Sequence, residues 1–222
     1  SASATDTEGY TVDTGLPVPS ISLNANITAD DIINAAEAGQ QIPVTGSVGG
    51  DAKVGDTVTL TVNGKPFTGT VAADKTFSIN VPGADLVADT DKTIDASVTT
   101  TDLAGNPASA TDTEGYAVNT GAPAVTVNIV DASLNVADKV SSVTFTFTEA
   151  PVGFVLGDVV VAGGVLSALA VTANPLVYTA TFTANDAFTG NASVTVPAGS
   201  YTNAAGNPGS AGADTVAVDT SA

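Results

Sequence analysis

The sequence predicts an all-β chain built from antiparallel β-sandwiches. Short runs of alternating apolar and polar residues recur along its 222 residues, and turn signals such as Asn-Gly, Pro-Gly and Gly-Asn-Pro separate them. A segment of thirteen residues also occurs twice, 106 positions apart, and its two copies differ at two positions. Many short strands without long helical patterns favour sandwiches, and the duplication indicates more than one module.

Alternation predicts seven strands in the first module. In the run DTVTLTV, Val58, Leu60 and Val62 fall on one face and threonines on the other, which suits a strand that is covered on one side. The predicted ranges are 19–23, 42–48, 57–62, 67–71, 76–81, 93–101 and 110–118. The only helical candidate is TADDIINAAEAG at 28–39, where Asp30 or Asp31 would cap a turn or two and Gly39 would end it.

The second module shows the same period. The runs SSVTFTFTE and VYTATFTA alternate aromatic and aliphatic residues with threonine, which is typical of half-buried strands. The predicted ranges are 124–130, 142–148, 158–162, 165–172, 176–183, 190–196 and 213–219.

The duplicated stretch defines the module boundaries. SATDTEGYTVDTG at 3–15 returns as SATDTEGYAVNTG at 109–121, and TDLAGNPASA at 101–110 matches TNAAGNPGSA at 202–211. A period of about 100 residues corresponds to one immunoglobulin-like sandwich, so the repeated stretch is predicted as the last strand and outgoing linker of each module. We therefore predict two tandem immunoglobulin-like antiparallel β-sandwiches joined end to end, within a longer array. The predicted segments are 1–15 (last strand and linker of a preceding module), 16–119 and 120–222.

Composition excludes several classes of function. The net charge is −18, from 23 acidic residues against five lysines, which disfavours nucleic acid and anionic membrane surfaces as partners. Cys and His are absent, which excludes disulfides, thiolate metal sites and histidine-based nucleophilic catalysis. Paired carboxylates arise readily by chance among so many acids, so we predict no enzyme. The acidity indicates either solubility in a salty or extracellular medium, or binding of hard cations.

Acidic and amide residues are concentrated in the segments that the sandwich topology brings to its two ends. At one end lie the incoming linker and the second–third and sixth–seventh strand connections. At the other lie the outgoing linker and the first–second and fifth–sixth connections. Because Ca²⁺ takes six to eight oxygen ligands, we predict that it binds there, neutralises the acids and fixes the linkers. The predicted ligands are Asp13, Asp30, Asp31, Glu37, Asp102, Asn106, Asp112, Glu114, Asn119, Glu149, Asn203, Asn207 and Asp219. The same loops also hold Asp51, Asp56, Asp85, Asp89 and Asp91.

Two alternatives stay open at this stage. Any single loop Asp or Asn is also explained as an ordinary turn residue that bonds nearby backbone. Asp112 and Glu114 share a face with Tyr116 by parity. Either they rim the sandwich end and bind metal, or Gly115 makes a bulge and both face water.

Several motifs resemble a known family. The stretches VDTGLP, ITADDIINAAEAG, PVTGSV, TVNG and TTTDLAGNPASA resemble bacterial immunoglobulin-like extender repeats of giant repeats-in-toxin adhesins. The stretches VTFTFTEAPVGF, YTATFTA and AAGNPGSA resemble another subtype found in the same proteins. The resemblance covers nearly all of the chain, and an ice-binding adhesin is one parent that it suggests.

The resemblance implies modules that sit between a membrane-anchored end and a ligand-binding end. It implies type I secretion to the bacterial cell surface and calcium at the linkers, where it stiffens the array. It also implies a monomer whose partners are the neighbouring modules of its own chain. Asn119 stands where the motif VDT has Asp, which implies weaker ion binding at that linker.

We therefore predict a Ca²⁺-stiffened structural spacer of a cell-surface adhesin. Two alternatives are kept. In the first, residues 120–222 bind a glycan or a host protein, since they carry little charge and differ from residues 16–119 outside the shared last strand and the loop before it. Alternatively, the chain would be an accessory region of a secreted polysaccharide-active enzyme.

Overall fold

The computed structural model describes residues 1–221, which form two compact units. Unit 1 comprises residues 1–33 and 37–118, and unit 2 comprises residues 34–36 and those from 119 onward. Both are immunoglobulin-like β-sandwiches, as the sequence predicts. Among residues 1–221, no helix is long and apolar enough to cross a bilayer.

Unit 1 contains nine strands and one short helix. They are β1 (Pro19–Leu23), β2 (Ile32–Ile33), β3 (Gln41–Gly50), β4 (Thr57–Val62), β5 (Lys65–Thr70), β6 (Thr76–Pro82), α1 (Gly83–Ala88), β7 (Thr93–Thr101), β8 (Pro107–Gly115) and β9 (Ala117–Val118). One sheet has the order β1-β3-β6 and the other has the order β5-β4-β7-β8. The short strands β2 and β9 pair in parallel.

Over the residues that the structure describes, unit 2 contains eight strands in two four-stranded sheets. They are β10 (Val125–Ile129), β11 (Ser133–Asn135), β12 (Val140–Phe147), β13 (Val160–Ala162), β14 (Gly164–Val171), β15 (Val177–Ala184), β16 (Thr189–Val196) and β17 (Gly212–Asp219). The sheet orders are β10-β12-β15-β14 and β11-β17-β16-β13. As in unit 1, the last strand pairs in parallel with a short strand that follows the first strand of the unit.

Alternation places the apolar residues of each strand in a core between the sheets. In β12, Val143, Phe145 and Phe147 are buried, whereas the threonines between them are half-buried or exposed. Burying each such side chain contributes about 1.5–3 kcal/mol. Aromatic rings in unit 2 also pack edge to face, with Phe147 5.0 Å from both Phe154 and Tyr201 between ring centroids.

Every predicted strand is present, but other elements differ from the prediction. Residues 28–39, the helical candidate, contain one 3₁₀ turn at Glu37–Gly39, which ends at Gly39 as predicted. No helical turn starts at Asp30 or Asp31, because Ile32–Ile33 form β2. Ile32 and Ile33 are extended because they pair with β9. Conversely, the connection after β6 contains α1, which the sequence analysis missed. Its six residues are too few to show a helical period.

The first copy of the duplicated stretch differs from the second. Residues 109–115 belong to β8, which pairs with β7, whereas residues 3–15 lie outside any strand that the structure describes and are exposed. A strand needs a hydrogen-bonded neighbour, and β7 supplies one only to the second copy. The assignment of residues 1–15 to a preceding module stays a prediction.

Candidate functional site

The linker motif, Val-Asp-Thr at 12–14 and 218–220 and Val-Asn-Thr at 118–120, forms the same turn at each position. The side-chain oxygen Oδ1 of Asp13, Asn119 or Asp219 accepts a hydrogen bond from the backbone N–H two residues later. These distances are 3.0, 3.2 and 3.2 Å. Such a turn needs only a side-chain oxygen, so Asp and Asn serve equally well. Hydrogen bonds from Ser221 lower the pKa of Asp219, and Thr189 adds a smaller effect.

The loop between β7 and β8 in unit 1 is closed by its first and last residues. Asp102 accepts the N–H of Asn106 on Oδ1 at 2.8 Å and the side-chain amide of Asn106 on Oδ2 at 2.8 Å. These bonds to Asn106 stabilise the ionised form and lower the pKa of Asp102. Gly105, at φ +91°, supplies the left-handed residue of the turn.

This loop also holds the incoming linker of unit 1. The Asn106 amide donates to the carbonyls of Asp13 at 3.1 Å and Gly15 at 3.2 Å. Asp51, which follows β3, accepts the N–H of Val18 at 2.7 Å. The linker, the loop and the residues after β3 therefore surround one cleft of about 420 Å³, lined in part by Asp13, Asp51, Asp102 and Lys53.

Unit 2 repeats this arrangement. In the loop between β16 and β17, Asn203 Oδ1 accepts the N–H of Asn207 at 2.9 Å, and Gly206 has φ +78°. The Asn207 amide donates to the carbonyl of Asn119 at 2.7 Å, as Asn106 does to Asp13. Asn207 Oδ1 accepts the N–H of Ala35, at 2.8 Å. Asn203 and Asn207 are each only 1% exposed, so these two residues are buried although Ala204 and Gly206 of the same loop are exposed.

The carboxylate of Glu149 completes the arrangement in unit 2. Its Oε2 accepts the side-chain amides of Asn203 at 3.0 Å and Asn119 at 3.2 Å. The Asn203 amide also lies 3.3 Å from the carbonyl of Gly121. We call Asn119, Glu149, Asn203 and Asn207 the amide cluster.

Strand register shows which residues of the two units correspond. Pro19 pairs with Gly50 in unit 1, and Val125 pairs with Phe147 in unit 2. Thr148 therefore occupies the position of Asp51. Its Oγ1 accepts the N–H of Ala124 at 2.9 Å, as Asp51 accepts that of Val18. Glu149 then occupies the position of Ala52.

Predicted ligands in the segment between β1 and β3 serve the local backbone. Asp31, at φ +59°, accepts the N–H of Ile27 at 3.2 Å, and Asp30 accepts that of Ile32 at 3.2 Å. These are the turn contacts that the sequence analysis weighed against metal binding. Glu37 begins the 3₁₀ turn and is engaged with its surroundings.

Asp112 and Glu114 are half-buried on the inward face of β8, as their parity with Tyr116 predicts. The β7–β8 register runs without a shift as far as Gly115, so the bulge of the other alternative is not found. Whether the two side chains bind metal stays a prediction. Asp112 Oδ2 accepts the N–H of Leu23 in β1, at 2.7 Å. Asp214 does the same in unit 2, where it accepts the N–H of Ile129 at 2.8 Å. Asp214 was not among the predicted site residues, although the dipeptide Asp-Thr lies in the last long strand of both modules.

The other loop acids of unit 1 also have protein partners. Asp56 accepts the N–H of Lys53, and Asp85 pairs with Lys65 at 2.5 Å. Asp89 is 5% exposed and accepts the hydroxyl of Tyr116 at 3.2 Å. Burial and the neighbouring Asp89 raise the pKa of Tyr116 well above its usual value. Thr93 lowers the pKa of Asp91 through hydrogen bonds.

The cleft of unit 1 contains the donor chemistry that a hard cation requires. Asp13, Asp51 and Asp102 supply carboxylate oxygens, and the linker supplies carbonyls. The three carboxylates share the cleft without converging as a ligand set. Among residues 1–221, no group of three or more acidic side chains is placed to hold a metal ion. Whether the thirteen predicted residues bind metal stays a prediction.

Both units are immunoglobulin-like β-sandwiches in which the connection between the last two long strands holds the incoming linker. The bacterial Ig-like domain family matches residues 119–220. The chain belongs to the bacterial immunoglobulin-like domains. This confirms the resemblance noted in the sequence. No curated protein sequence matches the chain significantly.

Solved structures similar to this chain come from ice-binding adhesins. One, from work on host cell-surface retention of a 1.5-MDa bacterial ice-binding adhesin, is 32% identical over 92% of this chain, with a TM-score of 0.63. A second, of a Ca²⁺-stabilised adhesin with which an Antarctic bacterium reaches out and binds ice, is 31% identical over 93% of this chain, with a TM-score of 0.59. A third, an immunoglobulin-like domain of the M. primoryensis ice-binding adhesin, is 43% identical over 47% of this chain and 98% of its own, with a TM-score of 0.42.

The chain spans 65% of the first of these structures and 50% of the second. The comparisons indicate a structural region of an adhesin and no enzymatic family.

Proposed function

We propose that this chain is a spacer region of a large adhesin on the bacterial cell surface, and that Ca²⁺ stiffens the incoming linker of unit 1. The observation that carries the proposal is the repeated contact between the linker and the loop of the last two long strands. In unit 1 that contact is lined by the carboxylates of Asp13, Asp51 and Asp102. The similarity to a Ca²⁺-stabilised adhesin supports it.

Electrostatics explain why a cation would matter there. Three carboxylates repel one another in the cleft, and Lys53, which donates to the carbonyl of Thr101, is the one cation among the lining residues. A hard divalent ion would remove this repulsion and draw the carboxylates and linker carbonyls toward one centre. The linker would then lose freedom relative to the sandwich that follows it.

The proposal is tested by comparing the full chain in CaCl₂ and in EGTA. We expect Ca²⁺ to raise the thermal midpoint of unit 1 and to slow hydrogen exchange at residues 13–18 and 102–106. The double variant Asp13→Asn, Asp102→Asn is expected to lose this response. Asp95→Asn, which removes an exposed charge on the outer face of β7, is the matched control. Equal midpoints and exchange rates with and without Ca²⁺ would contradict the proposal.

Unit 2 contributes to the same spacer role through its core. Its aromatic residues pack against one another between the sheets, including Phe145, Phe154, Tyr178 and Tyr201. The faces of these rings are therefore engaged in packing, which favours the spacer over the glycan-stacking alternative. Binding of residues 119–222 to a glycan array would favour that alternative instead.

A further inference from the structure

The loop and linker of unit 2 carry neutral residues at each position where unit 1 carries an acid. Asn119 makes the same linker turn as Asp13, and Asn203 closes its loop as Asp102 does. Thr148 corresponds to Asp51 by strand register. All three replacements keep an oxygen that accepts the same backbone N–H. They change the charge and leave the backbone geometry intact.

Two of the replacements add hydrogen-bond donors that unit 1 lacks. The side-chain amides of Asn119 and Asn203 both point at Oε2 of Glu149, at 3.2 and 3.0 Å. Glu149 stands at the position of Ala52, so the acceptor is an addition to unit 2 as well. The amides are thus placed where they satisfy the negative charge of Glu149 from within the protein.

The backbone fixes the orientation of these amides. Rotating the amide of Asn203 by 180° would turn its NH₂ toward the N–H of Asn207, which Oδ1 now accepts at 2.9 Å. The same rotation in Asn119 would oppose the N–H of Gly121, accepted at 3.2 Å. Each flip would lose an acceptor and set two donors against each other. A cation beside Glu149 would therefore face two NH₂ groups rather than oxygens.

We infer that the amide cluster replaces a cation, so that the linker at residues 119–121 is held without Ca²⁺. The donor set does not suit calcium, because it offers one carboxylate and two inward-facing amide donors where a hard cation needs many oxygens. The linker carbonyls of Asn119 and Gly121 also lie there, but they already accept the amides of Asn207 and Asn203. This departs from the sequence prediction that Asn119, Glu149, Asn203 and Asn207 bind the ion. The inference holds whether or not the linker of unit 1 binds Ca²⁺.

The first test follows the side-chain and backbone amides of the full chain by ¹⁵N NMR during a CaCl₂ titration. We expect the NH₂ signals of Asn119 and Asn203, and the backbone signals of 119–121 and 203–207, to keep their positions up to millimolar Ca²⁺. Their hydrogen exchange should be the same in EGTA. Saturable shifts at these residues would overturn the inference. Signals of residues 13–15 and 102–106 report separately on the proposed function, so the two ideas fail independently.

The second test restores the acids with the variant Asn119→Asp, Asn203→Asp. It places two carboxylates against Glu149, so we expect its unit 2 to unfold several degrees lower than the wild type in EGTA and to recover in CaCl₂. Asn135→Asp, at the exposed end of β11, with Asn174→Asp, in an exposed turn, adds the same two charges where the side-chain oxygens also accept backbone N–H groups. This control should show neither effect. A variant as stable as this control in EGTA would contradict the role assigned to the amides.

Discussion

At the scale of single residues, Asp and Asn make the same first hydrogen bond in these loops but differ in the second one. Both provide the oxygen that accepts the N–H of residue 106 or 207. Only Asn can also donate, so Asn203 turns outward from the loop to Glu149, whereas Asp102 accepts a second bond from Asn106. One change of atom therefore redirects the local hydrogen bonds without changing the turn.

Removing Glu149 tests the amide cluster directly. Glu149→Ala leaves the amides of Asn119 and Asn203 without the oxygen that both now share. Because Asn203 is buried, we expect a loss of about 1–3 kcal/mol in the free energy of unfolding of unit 2. Urea denaturation measures it. Glu149→Gln keeps an acceptor oxygen and should lose clearly less, and equal losses for the two variants would contradict this assignment.

The pH dependence of the unit 1 loop follows from Asp102. Its pKa lies below the usual value of an aspartate, chiefly because the side chain and N–H of Asn106 bond the ionised form. A lowered pKa in the folded state stabilises the loop above the unfolded pKa of about 3.9, and this stabilisation is lost as the pH falls through the lowered value.

We therefore expect amide exchange at residues 102–106 to accelerate relative to the intrinsic rate at each pH, as the pH falls from about 4 through the lowered folded pKa. In Asp102→Asn the exchange at these residues should follow only the intrinsic chemistry of exchange over that range, since an amide does not titrate. Exchange measured by NMR at matched pH values compares the two proteins. An identical acceleration in the variant would contradict the role of Asp102.

At the scale of elements, each sandwich uses an aspartate to satisfy a backbone group that its sheets leave unpaired. Asp112 in β8 accepts the N–H of Leu23 in β1, and Asp214 in β17 accepts that of Ile129 in β10. In both cases the donor ends the first strand of the unit, just before the chain crosses to pair in parallel with the last strand. The aspartate thus satisfies the N–H at the point where the chain changes sheet.

Replacing Asp214 should destabilise unit 2. Asp214→Ala leaves the N–H of Ile129 without its acceptor in a part-buried position, so we expect a loss of about 1–3 kcal/mol. Asp214→Asn retains an acceptor oxygen and should lose less. Asp186→Ala, which removes an exposed acid and its surface ion pair with Lys139, is the control. Chemical denaturation of the three variants gives the comparison, and a loss no larger than that of Asp186→Ala would contradict the assignment.

At the scale of the whole molecule, each unit has a hydrophobic core of its own. The buried core cluster of unit 1 contains residues between Leu23 and Tyr116, and that of unit 2 contains residues between Val125 and Val218. No buried residue belongs to both clusters among those that the structure describes. Each unit therefore has the apolar contacts needed to fold cooperatively.

Core substitutions are accordingly expected to act on one unit only. Phe145 is fully buried in unit 2, so Phe145→Ala should reduce the unfolding free energy of that unit by about 3–5 kcal/mol. Hydrogen exchange should then rise throughout β10–β17 while β3 and β7 keep their wild-type rates. Faster exchange in β3 and β7 as well would show that the two units unfold together.

The sequence by itself determined the all-β class, the position of every long strand and the loops in which the acids and amides gather. These features follow from period-two alternation and from turn residues, which act between near neighbours in the chain. The order of strands in an immunoglobulin-like sandwich also predicted that Asp13 lies near Asn106 and Glu149 near Asn203, because this topology brings those segments together.

The tertiary structure alone decided which partner each polar side chain has. Asp112 meets the N–H of Leu23, 89 residues away, and Ile32–Ile33 form a strand because β9 lies beside them. The amide of Asn203 faces Glu149 only because the N–H of Asn207 holds its oxygen. A hydrogen bond depends on distance and angle between atoms far apart in sequence, and no local pattern encodes that geometry.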